Sequence, residues 1–139
     1  INSIADTMIR NYVKTRENYR YSNLKNQFIF IQNNSSRLVF RKFYNYMNID
    51  NPSSPIMIYQ KNTINNVEII SIENPYPGQA IVNFRSKAHR FSGKLVNDEL
   101  WQVTVSYEID QINPSLLSGS RFGFMVTDYQ SKLLKNNDA

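Results

Sequence analysis

Trp101-Gln102-Val103-Thr104-Val105-Ser106-Tyr107-Glu108-Ile109 is the stretch whose reading decides the fold. Its odd-numbered residues are large and apolar, and its even-numbered residues are polar. In an extended chain, successive side chains point to opposite faces. Strict alternation therefore predicts a strand with one dry face and one wet face, as antiparallel sheets commonly have. Upstream, Ala80, Val82, Phe84 and Ala88 alternate with Ile81, Asn83, Arg85, Lys87 and His89, giving another strand. Before that, Val67 to Ile72 is a short β-rich run ending at Asn74-Pro75-Tyr76-Pro77-Gly78, a strong turn signal. Downstream, Phe122, Phe124 and Val126 form the inward set of a fourth strand. Turns around Gly93–Asp98 and Asn113–Gly119 join these runs, which places Asp98 and Glu99 in a solvated turn.

The N-terminal half has a different period. Ile4, Ala5, Met8, Ile9, Tyr12, Val13 and Tyr19 recur at helical spacing, with Asp6, Arg10, Asn11, Lys14, Glu17 and Asn18 on the opposite arc. Arg16 alone falls inside the apolar arc. It either snorkels outward or is tied to a carboxylate, at a subunit or partner surface. A second helix is predicted over 22–32, with Leu24, Phe28 and Ile31 inward. A third follows Asn34-Ser35-Ser36, whose serines suit an N-cap, and its stripe is Val39, Phe40, Phe43 and Met47. Asn51-Pro52-Ser53-Ser54-Pro55 stops it, because proline removes a donor and restricts its predecessor. Helices first, strands after, with complementary apolar faces, define an α+β fold: N-terminal helices packed on a curved four-stranded antiparallel sheet. The chain reads as one domain over 1–139, helical to about 60, sheet over about 64–131, with a disordered tail over about 133–139.

Composition removes whole classes of chemistry. The 139 residues include no cysteine, which excludes disulfides, thiolate metal sites and cysteine nucleophiles. One histidine, His89, excludes a multi-histidine metal centre, and its alternation puts it on the polar face. Glu108 and Asp110 share a strand face, where cross-strand pairing with Arg85 or Lys87 accounts for them. No phosphate-binding glycine loop, EF-hand loop or nucleophile elbow occurs. Catalytic residues, cofactors and metals are therefore not expected. No apolar run reaches the ~18–20 residues of a membrane span. The sequence begins inside a helix, without a signal peptide or start methionine, as an excised domain would. Charge is uneven: residues 1–61 hold nine Lys/Arg against three Asp/Glu, and residues 62–139 hold seven against eight. The positive field of the helical half can steer anionic partners such as nucleic acid or lipid headgroups.

Several motifs, in order, resemble those of one protein family. Tyr12-Val13-Lys14-Thr15-Arg16-Glu17-Asn18-Tyr19 resembles the Tyr-Val-x-Ala-Arg-Glu-x-Tyr helix of the type IV secretion inner-membrane assembly factors encoded as the eighth component of the VirB operon. Asn51-Pro52-Ser53-Ser54-Pro55 is similar to that family's break between helices and sheet. Val67-x-Ile69-x-Ser71-Ile72 and Ala80-Ile81-Val82-Asn83-Phe84 resemble its first two strands. Trp101-x-Val103-x-Val105-x-Tyr107 and Gly123-Phe124-Met125-Val126-Thr127-Asp128-Tyr129 resemble its last two. One departure stands out: Ser120-Arg121-Phe122-Gly123 occupies the place of the family's Asn-Pro-x-Gly, as in a divergent paralogue with altered contacts.

The resemblance implies a nuclear-transport-factor-2-like fold and a single-pass inner-membrane protein with this domain in the periplasm and its membrane helix upstream of Ile1. It further implies a non-enzymatic scaffold that forms a weak homodimer and contacts other secretion-channel subunits. Under that reading the contact residues are Met8, Ile9, Tyr12 and Arg16 of the first helix and Phe122, Gly123 and Phe124 of the last strand. Two alternatives stay open. A cone-shaped pocket lined by Trp101, Tyr107, Phe84 and Phe124 would bind or transform a small molecule, although bulky inward residues without an inward acid point to a filled core. Arg10, Lys14, Arg20, Lys25, Arg37, Arg41 and Lys42 would track nucleic-acid phosphates, although a solvated face explains them more simply.

Overall fold

The structure is a computed structural model that describes residues 3–111 and 122–137. Helix α1 (Ser3–Glu17) leads through a 3-10 turn at Tyr21–Asn23 into α2 (Leu24–Asn33), α3 (Arg37–Met47) and a short α4 (Pro55–Tyr59). Strands β1 (Thr63–Tyr76), β2 (Gln79–Arg90), β3 (Leu95–Gln111) and β4 (Phe122–Asn136) follow in a sheet of order β1-β2-β3-β4, antiparallel throughout. The α+β meander expected from periodicity is the one observed.

The alternating sets do meet the helices. Val103 and Val105 are fully buried, Tyr107 is nearly so, and Trp101 and Ile109 pack half-buried at the rim. Ala80, Val82, Phe84 and Ala88 lie beside them on the same face of β2. Ile9, Tyr12 and Val13 of α1, Ile31 of α2 and Phe43 and Met47 of α3 close the core from above. Ser36 caps α3 as expected, its side chain accepting from the Val39 backbone N–H at 3.3 Å. The helical layer is tied to both sheet edges through backbone hydrogen bonds. Tyr19 and Asn65 exchange bonds on β1, while Val126 of β4 donates to Asn34 and accepts from Ser36.

Four expectations change. Asn51–Pro55 ends α3 but also begins α4: buried Ser54 accepts from the Met57 N–H, and Pro55 occupies the first turn, where its missing donor is harmless. Strand β1 extends well beyond Val67–Ile72, because its register with β2 recruits Asn65, Asn66 and Glu73, which have no apolar signal. The expected disordered tail is strand through Asn136, with Leu133, Lys135 and Asn136 opposite Trp101, Leu100 and Glu99. Asp98 and Glu99 belong to β3 and not to a turn; the hairpin turns before them at Gly93, which takes the positive φ of 97° that glycine tolerates. The turn expected at Asn113–Gly119 lies outside the described residues.

That register also reassigns an ion pair. Glu108 and Asp110 stand opposite Met125 and Gly123 of β4, away from Arg85 and Lys87. Arg85 instead grips Asp98, donating from Nε at 2.9 Å and from Nη2 at 2.6 Å to its two oxygens. These bonds, against the cost of burial and with help from Asn137, hold the Asp98 carboxyl down at about 2. A depressed carboxyl stabilises the folded chain above its unfolded value near 3.8, and that contribution fades as pH falls toward 2. Acid titrations followed by circular dichroism should therefore show a shallower loss of stability between about pH 4 and pH 2 in Asp98→Asn than in the wild type.

Candidate functional site

The end of α1, the facing parts of α2 and α3, α4 and the concave sheet enclose a cleft of about 350 Å³. Arg16, Glu17, Tyr46, Glu99, Trp101 and Tyr129 are among its lining residues. Arg16 is the organising cation. Its guanidinium carbon lies 3.8 Å from the Tyr129 ring centroid, 5.4 Å from that of Phe43 and 6.0 Å from that of Tyr12. It also donates through Nη1 to the Tyr12 hydroxyl at 3.0 Å, and that hydroxyl is bonded to Ser35 Oγ at 2.7 Å. Among the described residues no carboxylate lies within ion-pair distance of Arg16. Within the chain an aromatic box holds Arg16, and it stays half-buried with some surface left. Such contacts contribute about 0.5–2 kcal/mol according to how dry they are.

The neighbouring Glu17 accepts from the Tyr129 hydroxyl at 2.6 Å. Burial pushes its carboxyl upward, opposed by that hydrogen bond and by the charge of Arg16. Burial, reinforced by the Glu17 charge, pushes the Tyr129 phenol well above its usual value. On the other wall Glu99 accepts from Trp101 Nε1 and from Asn97 Nδ2, each at 3.0 Å. The expectation that no acid projects inward is therefore corrected: two line the cleft. Of the four residues expected to line a pocket, Trp101 does, while Phe84, Tyr107 and Phe124 are packed into the core instead.

Tyr129 was hidden by a bulge. Tyr107 pairs with Val126 and Ser106 with Asp128, which leaves Thr127 as an extra residue on β4. One inserted residue reverses the alternation, so Val126 and Tyr129 both reach the inner face. Glu99 carried a readable signal, standing two residues before Trp101 in the same alternating set. Gln27 had none; its buried amide donates to the carbonyls of Thr15, Arg16 and Asn18 at 3.0–3.2 Å and fixes the end of α1.

The residues expected to make contacts divide. Ile9 and Tyr12 have no exposed surface, and Phe124 is stacked on Tyr107 at 5.9 Å, so all three close the monomer's own core. Met8, Arg16 and Gly123 are half-buried and keep some surface. The Phe122 side chain, with Ser120 and Arg121, lies outside the described residues. His89 sits half-buried on the outer sheet face beside Glu68, Arg85 and Lys87, remote from the cleft.

Helices laid over a concave four-stranded meander, with a cleft between the layers, define a nuclear-transport-factor-2-like domain. Residues 2–132 match the family model described as VirB8 protein, and the chain belongs to the VirB8 family. It is 25% identical over 130 residues to protein virB8 of Agrobacterium fabrum, covering 93% of this chain and 54% of that protein. The same identity and coverage of this chain hold for protein virB8 of Agrobacterium tumefaciens strain 15955, of which 56% is covered. The chain thus spans about half the length of the curated relatives it matches. Among solved structures, Agrobacterium tumefaciens VirB8 superposes with a TM-score of 0.85 at 24% identity, over 96% of this chain and 92% of that one. The soluble domain of TrwG from the type IV secretion machinery of Bartonella grahamii gives 0.81 at 23% identity, over 95% and 94%. TraE in complex with 2-(2-furyl)isonicotinic acid gives 0.77 at 19% identity, over 94% and 96%.

A raised Glu17 carboxyl means that the folded state binds this proton more tightly than the unfolded chain does. Stability then falls as pH rises above the ordinary value of 4.5. Thermal melts should show Glu17→Gln more stable than the wild type at pH 7, with the difference vanishing toward pH 4. Replacing Arg16 with Gln should lower stability by about 1–2 kcal/mol, because the aromatic box loses its cation and Tyr12 loses a buried donor.

Proposed function

We propose that this chain is the periplasmic domain of a non-enzymatic assembly subunit of a bacterial type IV secretion system. It is carried on the inner membrane by a helix upstream, self-associates weakly and contacts other channel subunits. The observation that carries this reading is the match of nearly the whole chain to the VirB8 family. The Bartonella TrwG domain of the same fold supports it, being a component of type IV secretion machinery. Among the described residues no helix is long and apolar enough to cross a membrane, so the anchor of this reading belongs to a segment other than those described.

Function then resides in surfaces, and burial narrows which ones. Ile9, Tyr12 and Phe124 cannot meet a partner without opening the core. On the same stripe of α1, Ile4 is 45% exposed and Met8 keeps surface one turn later. Gly123 and the 43%-exposed Met125 flank Phe124 on the outer side of β4. The pairing contact is assigned to the α1 patch, with the start of β4 offered to a partner subunit. Tyr12→Arg would unfold the monomer, so the informative variant is Met8→Arg. Sedimentation equilibrium should show its self-association weakened by about tenfold or more, with the circular dichroism spectrum unchanged. A folded variant that associates like the wild type would remove α1 from the contact.

A second reading, ligand capture in the cleft without catalysis, is favoured by one combination: an arginine box beside two acids in a cavity of about 350 Å³. The TraE relative that holds a pyridine carboxylic acid shares the fold. Titration with 2-chloroisonicotinic acid, followed by Trp101 fluorescence, should saturate in the wild type and fail in Arg16→Gln. Unsaturable or unaltered quenching would discard this reading.

A further inference from the structure

From Asn18 to Ile49 the sequence carries five basic residues, Arg20, Lys25, Arg37, Arg41 and Lys42, and no carboxylate. All five are exposed, and among the described residues none lies within ion-pair distance of an acid. Three of them sit on α3 opposite its buried stripe of Val39, Phe43 and Met47. At 100° per residue Tyr44, Arg37, Arg41 and Leu38 occupy one continuous outer arc, with Lys42 at its edge. Leu38 is 57% exposed and Tyr44 50%. Helix α2 lies alongside: the Phe28 ring is 5.1 Å from that of Phe43 and 6.1 Å from that of Tyr44. It adds exposed Lys25 and Ile29 on the arc next to Phe28. The result is a cationic helix-pair face in which aliphatic and tyrosyl side chains stand between the charges.

We infer that this α2–α3 face docks on a bilayer surface containing anionic phospholipid. A face of unpaired cations attracts headgroup phosphates, and each Lys or Arg near such a surface adds to the binding. The interleaved Leu38, Ile29 and Tyr44 are what a helix lying in the headgroup boundary buries, where tyrosine has one apolar and one polar end. Nucleic acid would use the same charges but not these aliphatic side chains. This face is separate from the α1 patch assigned to self-association, so loss of one leaves the other intact.

The test is co-sedimentation of the chain with vesicles of phosphatidylcholine alone and of phosphatidylcholine mixed with phosphatidylglycerol. The expected result is binding to the mixed vesicles only, weakening as salt rises. Replacing Arg37 and Arg41 together by Gln should weaken that binding about thirtyfold. Leu38→Asp should weaken it as well, while the circular dichroism spectrum holds, since an acid in the first turn of α3 suits the helix dipole. Failure to bind the mixed vesicles in dilute buffer would overturn the inference, as would equal binding to neutral vesicles. So would a single-stranded oligonucleotide that binds wild type and Leu38→Asp equally and displaces the chain from vesicles, which would assign the face to nucleic acid instead.

Discussion

Everything in the molecule converges on the hydroxyl and ring of Tyr12, which has no surface of its own. Its ring touches those of Phe30 on α2 and of Phe124 and Tyr129 on β4, and its hydroxyl joins Ser35, in the α2–α3 connection, to Arg16. One side chain thereby sets the distance between the helical layer and the far strand. A buried hydroxyl is tolerable only when both its roles are filled, and here Arg16 donates to it while Ser35 shares the second bond. Three rings turn their negative faces to the arginine's guanidinium inside this partly dry site.

From this packing follows the division of the surface. The same stripe of α1 that carries Tyr12 and Ile9 into the core comes to the surface at half-buried Met8 and at Ile4, which is exposed. Its other end brings Arg16 and Glu17 to the cleft. Exposed start, core and cleft are thus successive stretches of one helix, and the bond from Glu17 to Tyr129 fastens that helix to β4 at its far end. For the proposed assembly role that stiffness matters, because a surface already ordered gives up less entropy on meeting a partner.

The expectations that held were those resting on long regular patterns: the alternation through Trp101–Ile109, the stripe of α1, and the serine cap of α3. Those that failed rested on assuming the pattern continued or on reading polar residues as turns. Thr127 breaks the alternation of β4 and turns Tyr129 inward, a change invisible without knowing its partner strand. Asp98 reads as a loop residue by type, yet Arg85 across the sheet makes it a strand residue with a firm partner. Asn65 and Gln27 carry no apolar signal and are buried because they satisfy backbone groups of other elements.

Local periodicity by itself determined the α+β class, the order of helices before strands, the inward sets and the concentration of positive charge in the helical half, because each depends only on spacing within one element. Tertiary structure alone decided which apolar residues are core and which are surface, where the bulge falls, and that Arg16, Glu17, Glu99 and the rings of Phe43, Trp101 and Tyr129 share one cleft. Those outcomes depend on pairing register and on layer separation, which join residues more than a hundred positions apart and leave no periodic trace in the chain.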